Sequence, residues 1–167
     1  MRELNQIDTF YDNLYFRSRT EARWAVFFNA IGWEYLYEFE GYNLPIGCYL
    51  PDFYFPKLNV WAEVKPGELN EIELTKCKEL SFKMKSNDLG IDVILLEGVP
   101  SFKSLRTISN GQIWINVILL SVYERNYPFY TSDDYPKKHY MLDRTDEAII
   151  KARTARFEYE WKERNNG

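Results

Sequence analysis

The residues best able to do chemistry are Asp52, Glu63 and Lys65, in Pro51-Asp52-Phe53 and, after a turn, Glu63-Val64-Lys65. Two carboxylates held side by side repel unless a cation sits between them or a shifted pKa keeps one neutral. The chemistry open to such a pair is therefore cation binding or a retained proton. Pro56-Lys57-Leu58-Asn59 carries turn residues between two aromatic and β-branched runs, which predicts an antiparallel hairpin. A turn centred between Lys57 and Leu58 places Asp52 directly opposite Glu63, with Cβ atoms about 4.5–5.5 Å apart, where like charges destabilise the pair. Lys65 shares that face because strand side chains alternate. The other face collects Phe53, Phe55, Val60, Ala62 and Val64, a core-packing set, and a one-residue slip would bury the charges instead. The plainer alternative is an amphipathic hairpin with a wet polar face, since Glu-x-Lys is common. Pro-Asp at the matched spacing argues against it, and a bulge would shift the pairing.

Several elements must position these groups. A helix is predicted from Ser18 to Gly32, its C-terminal stop, and Glu34 to Glu40 alternates as a half-buried strand. The motif hairpin follows. A second helix spans about Leu69 to Lys85, with apolar residues over most of its surface, and Ile91 to Leu96 suits a buried strand. The order is helix, three strands, helix, strand. Beyond a loop around Gly98 to Ser101, the run from Gly111 to Leu120 reads as one or two strands and residues 124–142 as an ordered aromatic loop. A last helix is expected from about Thr145 to Lys162, with Ala148, Ala152, Ala155 and Tyr159 on one side and Arg153 and Arg156 neighbouring each other on another.

Composition bounds the rest. The 167 residues, 46% hydrophobic, suit one α/β domain with a genuine core over 1–167. No apolar run reaches the roughly 18 residues of a membrane span, and the polar start has no signal-peptide core, so no membrane partner is expected. Cys48 and Cys77 lie far apart and the lone His139 has no evident zinc partners, which suggests a reducing, cytoplasmic setting. A net charge of −4 argues against a strongly basic, non-specific nucleic-acid binder. It does not exclude a nuclease, whose acidic metal site enters the same sum.

The element order, with Pro51-Asp52, ten intervening residues and Glu63-Val64-Lys65, resembles the PD-(D/E)XK nuclease superfamily. Phe16-Arg17-Ser18-Arg19-Thr20-Glu21-Ala22-Arg23-Trp24-Ala25 is similar to the opening helix of its phage and prophage members. The resemblance covers a core of about 15–97. It extends more weakly to Ala152 to Glu158 within an extension of about 98–167. It implies a restriction-endonuclease-like three-layer core, with a mixed central sheet flanked by helices, and C-terminal strands and a helix. The implied activity is hydrolysis of DNA phosphodiesters, by an endonuclease of phage or prophage type, with Mg²⁺ or Mn²⁺. Asp52 and Glu63 become ligands of the catalytic metal, with the Val64 carbonyl as a third. Lys65 positions or deprotonates the attacking water and stabilises charge on the phosphorane. Glu21 completes the acidic cluster or holds a second metal. Two alternatives are a non-catalytic regulator that keeps the acidic pocket as a relic and binds protein or DNA, and an endonuclease subunit of a transposition or recombination complex. Pairing into a homodimer and a protein partner are left open.

Each role has a structural competitor. Ser18-Arg19-Thr20-Glu21 is also a capping box, in which Glu21 folds back onto the Ser18 amide. Glu38 and Glu40 are alternative acids or a solvated strand face, and Glu68 reads as an acid favoured by a helix N-terminus. For phosphate contacts the candidates are Arg17, Arg19 and Arg23 around the first helix, Lys76 on the second, and Arg153 and Arg156 near the end. The tyrosines from Tyr123 to Tyr140 either stack bases or cover a core edge.

Overall fold

The structure, a computed structural model, describes residues 7–84, 91–101, 105–114 and 139–157. Helix α1 (Arg19–Ile31) starts where Ser18 Oγ accepts the Glu21 N–H. It stops at Gly32, in the left-handed conformation (φ 78°) that an L side chain resists, while Trp33 N–H closes the last turn on Phe28 O at 2.8 Å. Between these caps Ala22, Trp24, Ala25, Val26, Phe27 and Phe28 are buried.

Six strands form a mixed sheet in the order β10-β9-β8-β7-β6-β3. They are β3 (Leu36–Tyr37), β6 (Phe53–Phe55), β7 (Val60–Lys65), β8 (Val93–Glu97), β9 (Leu105–Ser109) and β10 (Gln112–Trp114). Only β7 and β8 run parallel; the other neighbours are antiparallel. A parallel pair needs a crossover, and α2 (Glu71–Lys83) supplies it. Two short hairpins stand outside the sheet: β1 (Thr9–Tyr11) with β2 (Leu14–Phe16), and β4 (Tyr42–Leu44) with β5 (Gly47–Tyr49).

The predicted register holds. Phe53 pairs with Ala62 and Phe55 with Val60, and the five residues assigned to the core face sit in one apolar cluster with α1, Ile94, Leu96 and Ala148 and Ala152 of α3 (His139–Thr154). The opposite face packs Trp61, Val93, Leu95 and Ile108 against Cys77 and Leu80 of α2 and Tyr42, Leu44 and Tyr49 of the β4–β5 hairpin. Helices therefore cover both faces, and the face that carries Glu63 is buried rather than wet.

Some expectations change. The strand at Glu34 to Glu40 shrinks to Leu36–Tyr37, and the β4–β5 hairpin enters between it and β6. Helix α2 buries one side only, around Cys77 and Leu80, and leaves the apolar Ile72 and Phe82 exposed. Strand β9 lies earlier than the strands expected from Gly111 onward, and residues 115–120 fall outside the described residues. The last helix spans His139–Thr154 rather than Thr145 to Lys162, so 139–142 open a helix instead of closing a loop. Ala155, Arg156 and Phe157 leave it because Ala155 and Phe157 pack on the core and Phe157 meets Tyr11 edge-on at 6.1 Å. Arg156 is thus not one helical turn from Arg153. Residues 124–138, most of the tyrosine-rich stretch, and Tyr159 lie outside the described residues.

Candidate active site

The ladder between β6 and β7 ends at Phe53–Ala62, two residues before Val64, and Pro51 explains why. Trp61 N–H points to β8, where it donates to Asp92 O at 3.1 Å, so by alternation Val64 turns its backbone groups toward β6. The residue opposite would be Pro51, which has no N–H to give to the Val64 carbonyl. The Val64 N–H donates instead to the Asp52 side chain, Oδ2, at 2.7 Å. A Pro-Asp pair thus ends the strand and turns the aspartate onto β7. The far end of β7 is fixed by Gly98, whose N–H donates to Lys65 O at 2.7 Å while its carbonyl accepts the Trp24 indole of α1 at 2.9 Å.

Asp52, Glu63 and Lys65 come together here, with both carboxylates out of water. Glu63 accepts the Tyr49 hydroxyl on Oε2 at 2.8 Å, and Lys65 Nζ lies 3.0 Å from its Oε1. The same ammonium lies 3.3 Å from Glu73 Oε1. Burial, then the charges of Glu63 and Glu21, raise the Asp52 pKa well above the usual carboxylate range, against the pull of the Val64 N–H and Lys65. Burial also raises Glu63, with Lys65 and the Tyr49 hydroxyl opposing it. For Lys65 burial pulls downward, but Glu63, Asp52 and Glu73 outweigh it and the ammonium is held firmly protonated. Behind Glu63, Tyr49 Oη lies 3.3 Å from Cys77 Sγ, and burial, then the Glu63 charge, pushes that thiol up to about 12.

Glu21 is buried at the N-terminus of α1, but its oxygens have other partners. Oε1 accepts the Ser18 hydroxyl at 2.7 Å, and Oε2 accepts the Tyr37 hydroxyl at 2.5 Å and the Arg17 N–H at 3.1 Å. The cap differs from the expected box, because Glu21 folds onto the Arg17 amide rather than that of Ser18. Its charge reaches Asp52, while its hydrogen bonds go to the cap and to Tyr37 of β3.

Arg17 is the cation nearest Asp52, with Nη2 donating to Oδ1 at 2.8 Å and Nε 2.6 Å from Glu38 Oε1. Glu38 is accordingly an ion-pair partner rather than a solvated strand acid, and Glu40 accepts the Tyr42 hydroxyl at 3.0 Å. Glu68 is exposed and precedes α2, whose first-turn acids are Glu71 and Glu73. The other basic candidates do not gather. Arg19 is exposed and Arg23 half-buried on α1, Arg153 and Arg156 are exposed at and beyond the end of α3, and Lys76 is half-buried on α2 across the sheet.

Tyr49, Tyr37 and Glu73 are site neighbours absent from the sequence-based set. Glu73 carried a readable signal, Asn70-x-x-Glu73, which forms a full capping box and thereby aims the glutamate back toward Lys65. The two tyrosines carried none, since only the tertiary fold brings them in.

Comparison with protein-family models, curated proteins and solved structures yields no match. No helix among the described residues is long and apolar enough to cross a membrane. Among the described residues no three His, Cys, Asp or Glu side chains are gathered closely enough to cage a metal on their own. Mg²⁺ needs no such cage, because it is bound through one or two carboxylates and keeps several waters. Asp52 and Glu63, with the Val64 carbonyl on the side that Pro51 leaves without a donor, match that requirement in donor type.

Proposed function

We propose that the protein hydrolyses DNA phosphodiester bonds on a restriction-endonuclease-like core, with Mg²⁺ or Mn²⁺ held by Asp52, Glu63 and the Val64 carbonyl. The observation that carries this reading is the enforced proximity of two buried carboxylates, each with a raised pKa, beside one ammonium. A fold has no stability reason to assemble that set, and perturbed groups gathered at one point mark functional sites. When bound, the metal supplies positive charge at the phosphate and acidifies a water. Lys65, held protonated, favours positioning the attacking water and stabilising phosphorane charge over acting as a base. Pro51 turns Asp52 into the site, Tyr49 orients Glu63, and Glu21 holds the start of α1 against the cluster and adds its charge to the field at Asp52. An endonuclease of phage or prophage type, alone or within a recombination complex, would use this machinery.

A second reading has one observation in its favour. Arg17 and Lys65 already face Asp52 and Glu63, so the cluster is partly self-neutralised, as in a regulator on the same scaffold that binds protein or DNA without cutting. Incubating the purified protein with plasmid, single-stranded circle and a four-way junction, with Mg²⁺, Mn²⁺ or chelator, separates the two. Metal-dependent cleavage is expected, reduced about 10²–10³-fold in Asp52→Ala and Lys65→Ala. Cleavage that survives chelation and Asp52→Ala would overturn the hydrolase reading. No cleavage of any substrate, with no metal binding by calorimetry, would favour the regulator.

A further inference from the structure

Arg17 combines a pinned backbone with a half-exposed side chain. Its N–H is shared between Glu21 Oε2 and the Tyr37 hydroxyl oxygen, each at 3.1 Å. Its side chain is 51% exposed, and it meets the Asp52 and Glu38 carboxylates and the Tyr37 hydroxyl. The approach to Glu38 is an ion pair without hydrogen-bond alignment, since Glu38 Oε1 has no hydrogen-bond partner. Glu38 is itself held in the left-handed region, φ 48°, by an N–H donated to Asp52 O at 2.9 Å. A non-glycine residue reaches that conformation only against a steric cost, and such strain collects at working sites.

Asp52 has one oxygen to offer a ligand. Oδ2 is committed to the Val64 N–H, so Oδ1 is the atom a metal would take, and Arg17 Nη2 is on it at 2.8 Å. A compact divalent cation binds a carboxylate oxygen more strongly than a diffuse guanidinium does, and the two positive groups repel at such short range. Once displaced, a guanidinium on a fixed backbone needs only side-chain rotation to reach a new anion. Its planar fork suits a phosphate.

We infer, resting on the hydrolase reading above, that Arg17 holds Asp52 in place of the divalent cation and, when that cation binds, passes its guanidinium to a phosphate of the nucleic-acid backbone. Arg17 is then a positioning residue with two successive partners.

The test measures two affinities that should move in opposite directions in Arg17→Ala and in Arg17→Gln, which keeps a shorter, uncharged hydrogen-bonding side chain. Calorimetry on the full chain without DNA reads Mn²⁺ binding, and fluorescence anisotropy with a short labelled duplex in Ca²⁺ reads DNA binding. Both variants are expected to bind Mn²⁺ about three- to tenfold more tightly, because a competing cation is gone, and to bind duplex about tenfold more weakly. Circular dichroism and melting confirm the fold in each. Mn²⁺ affinity unchanged or weakened in folded Arg17→Gln overturns the placeholder role and leaves the hydrolase reading standing. Unchanged duplex affinity overturns the transfer to phosphate. No Mn²⁺ binding by wild type or either variant overturns the hydrolase reading and the hand-over with it.

Discussion

Asp52 and Asp92 are both nearly inaccessible to water, at 2% and 3% exposure, yet their surroundings differ in kind. Asp92 Oδ2 accepts the Ser81 hydroxyl at 2.7 Å and the Asn110 N–H at 3.0 Å, and Ser81 Oγ in turn accepts the Gly111 N–H at 3.1 Å. These neutral donors tie α2, β8 and the β9–β10 turn together. Asp52 meets one neutral donor, the Val64 N–H, while Glu63 and Glu21 push against its charge and a half-exposed guanidinium offsets it. Burial by itself therefore does not distinguish these two aspartates. The partners do: neutral donors that satisfy the oxygens stabilise a fold, whereas neighbouring carboxylates leave a charge that favours a cation.

The widest separation between the two aspartates is expected in catalysis. Asp92→Asn keeps an acceptor in the staple and should cleave DNA within about threefold of wild type, against the 10²–10³-fold loss expected at Asp52. Equal losses in initial cleavage rate, with both proteins folded, would break the comparison. Stability should reverse the ranking. Asp92→Ala strands the buried Ser81 hydroxyl, removes the acceptor of the part-buried Asn110 N–H and should cost about 2–4 kcal/mol in urea unfolding. A cost under about 0.5 kcal/mol, the range of ordinary surface substitutions, would show that the staple carries little.

The smallest effect is also the most specific. Because the folded-state pKa of Asp52 is raised, the native protein holds this proton more tightly than the unfolded chain does. The resulting stability is fully present below the unfolded pKa and is lost as pH rises through the folded value. Asp52→Asn fixes the neutral state, so without metal it should melt about 2–4 °C above wild type near neutral pH. The gain should shrink as pH falls toward the ordinary carboxylate range. A melting temperature below that of wild type at neutral pH would mean that Arg17 and Val64 satisfy Asp52 as fully as neutral donors satisfy Asp92.

Where a signal was local, the fold could be read from the chain. Ser18 and Gly32 bracket α1 because a cap is a contact within a few residues, and the β6–β7 register followed from a turn and one apolar face. The β9–β10 hairpin was also legible, since Asn110-Gly111 takes the positive φ angles of a tight turn, 47° and 70°, and Asn-Gly is a strong hairpin signal. The strand before that turn, Leu105–Ser109, carries no clean polar-apolar alternation, so its pattern does not announce it. At Gly111 the Phe82 ring also lies where a Cβ would stand, an approach that no local pattern announces. The end of α3 differs from the local pattern for the opposite reason. Ala155-Arg156-Phe157 is acceptable in a helix, and packing of Phe157 against Tyr11 overrides that propensity.

The sequence by itself determined the groups that meet and the register in which they meet. Asp52, Glu63 and Lys65 share the end of one hairpin because strand side chains alternate and because Pro51 stops the ladder. Only the tertiary structure decided what surrounds them. Arg17 reaches Asp52 across 35 residues, Tyr49 reaches Glu63 across 14, and Glu21 is drawn into a cap by Tyr37, 16 residues away. The physical reason is that periodicity and capping act over one or two turns of chain, whereas the partner of a buried charge is set by which elements pack around it.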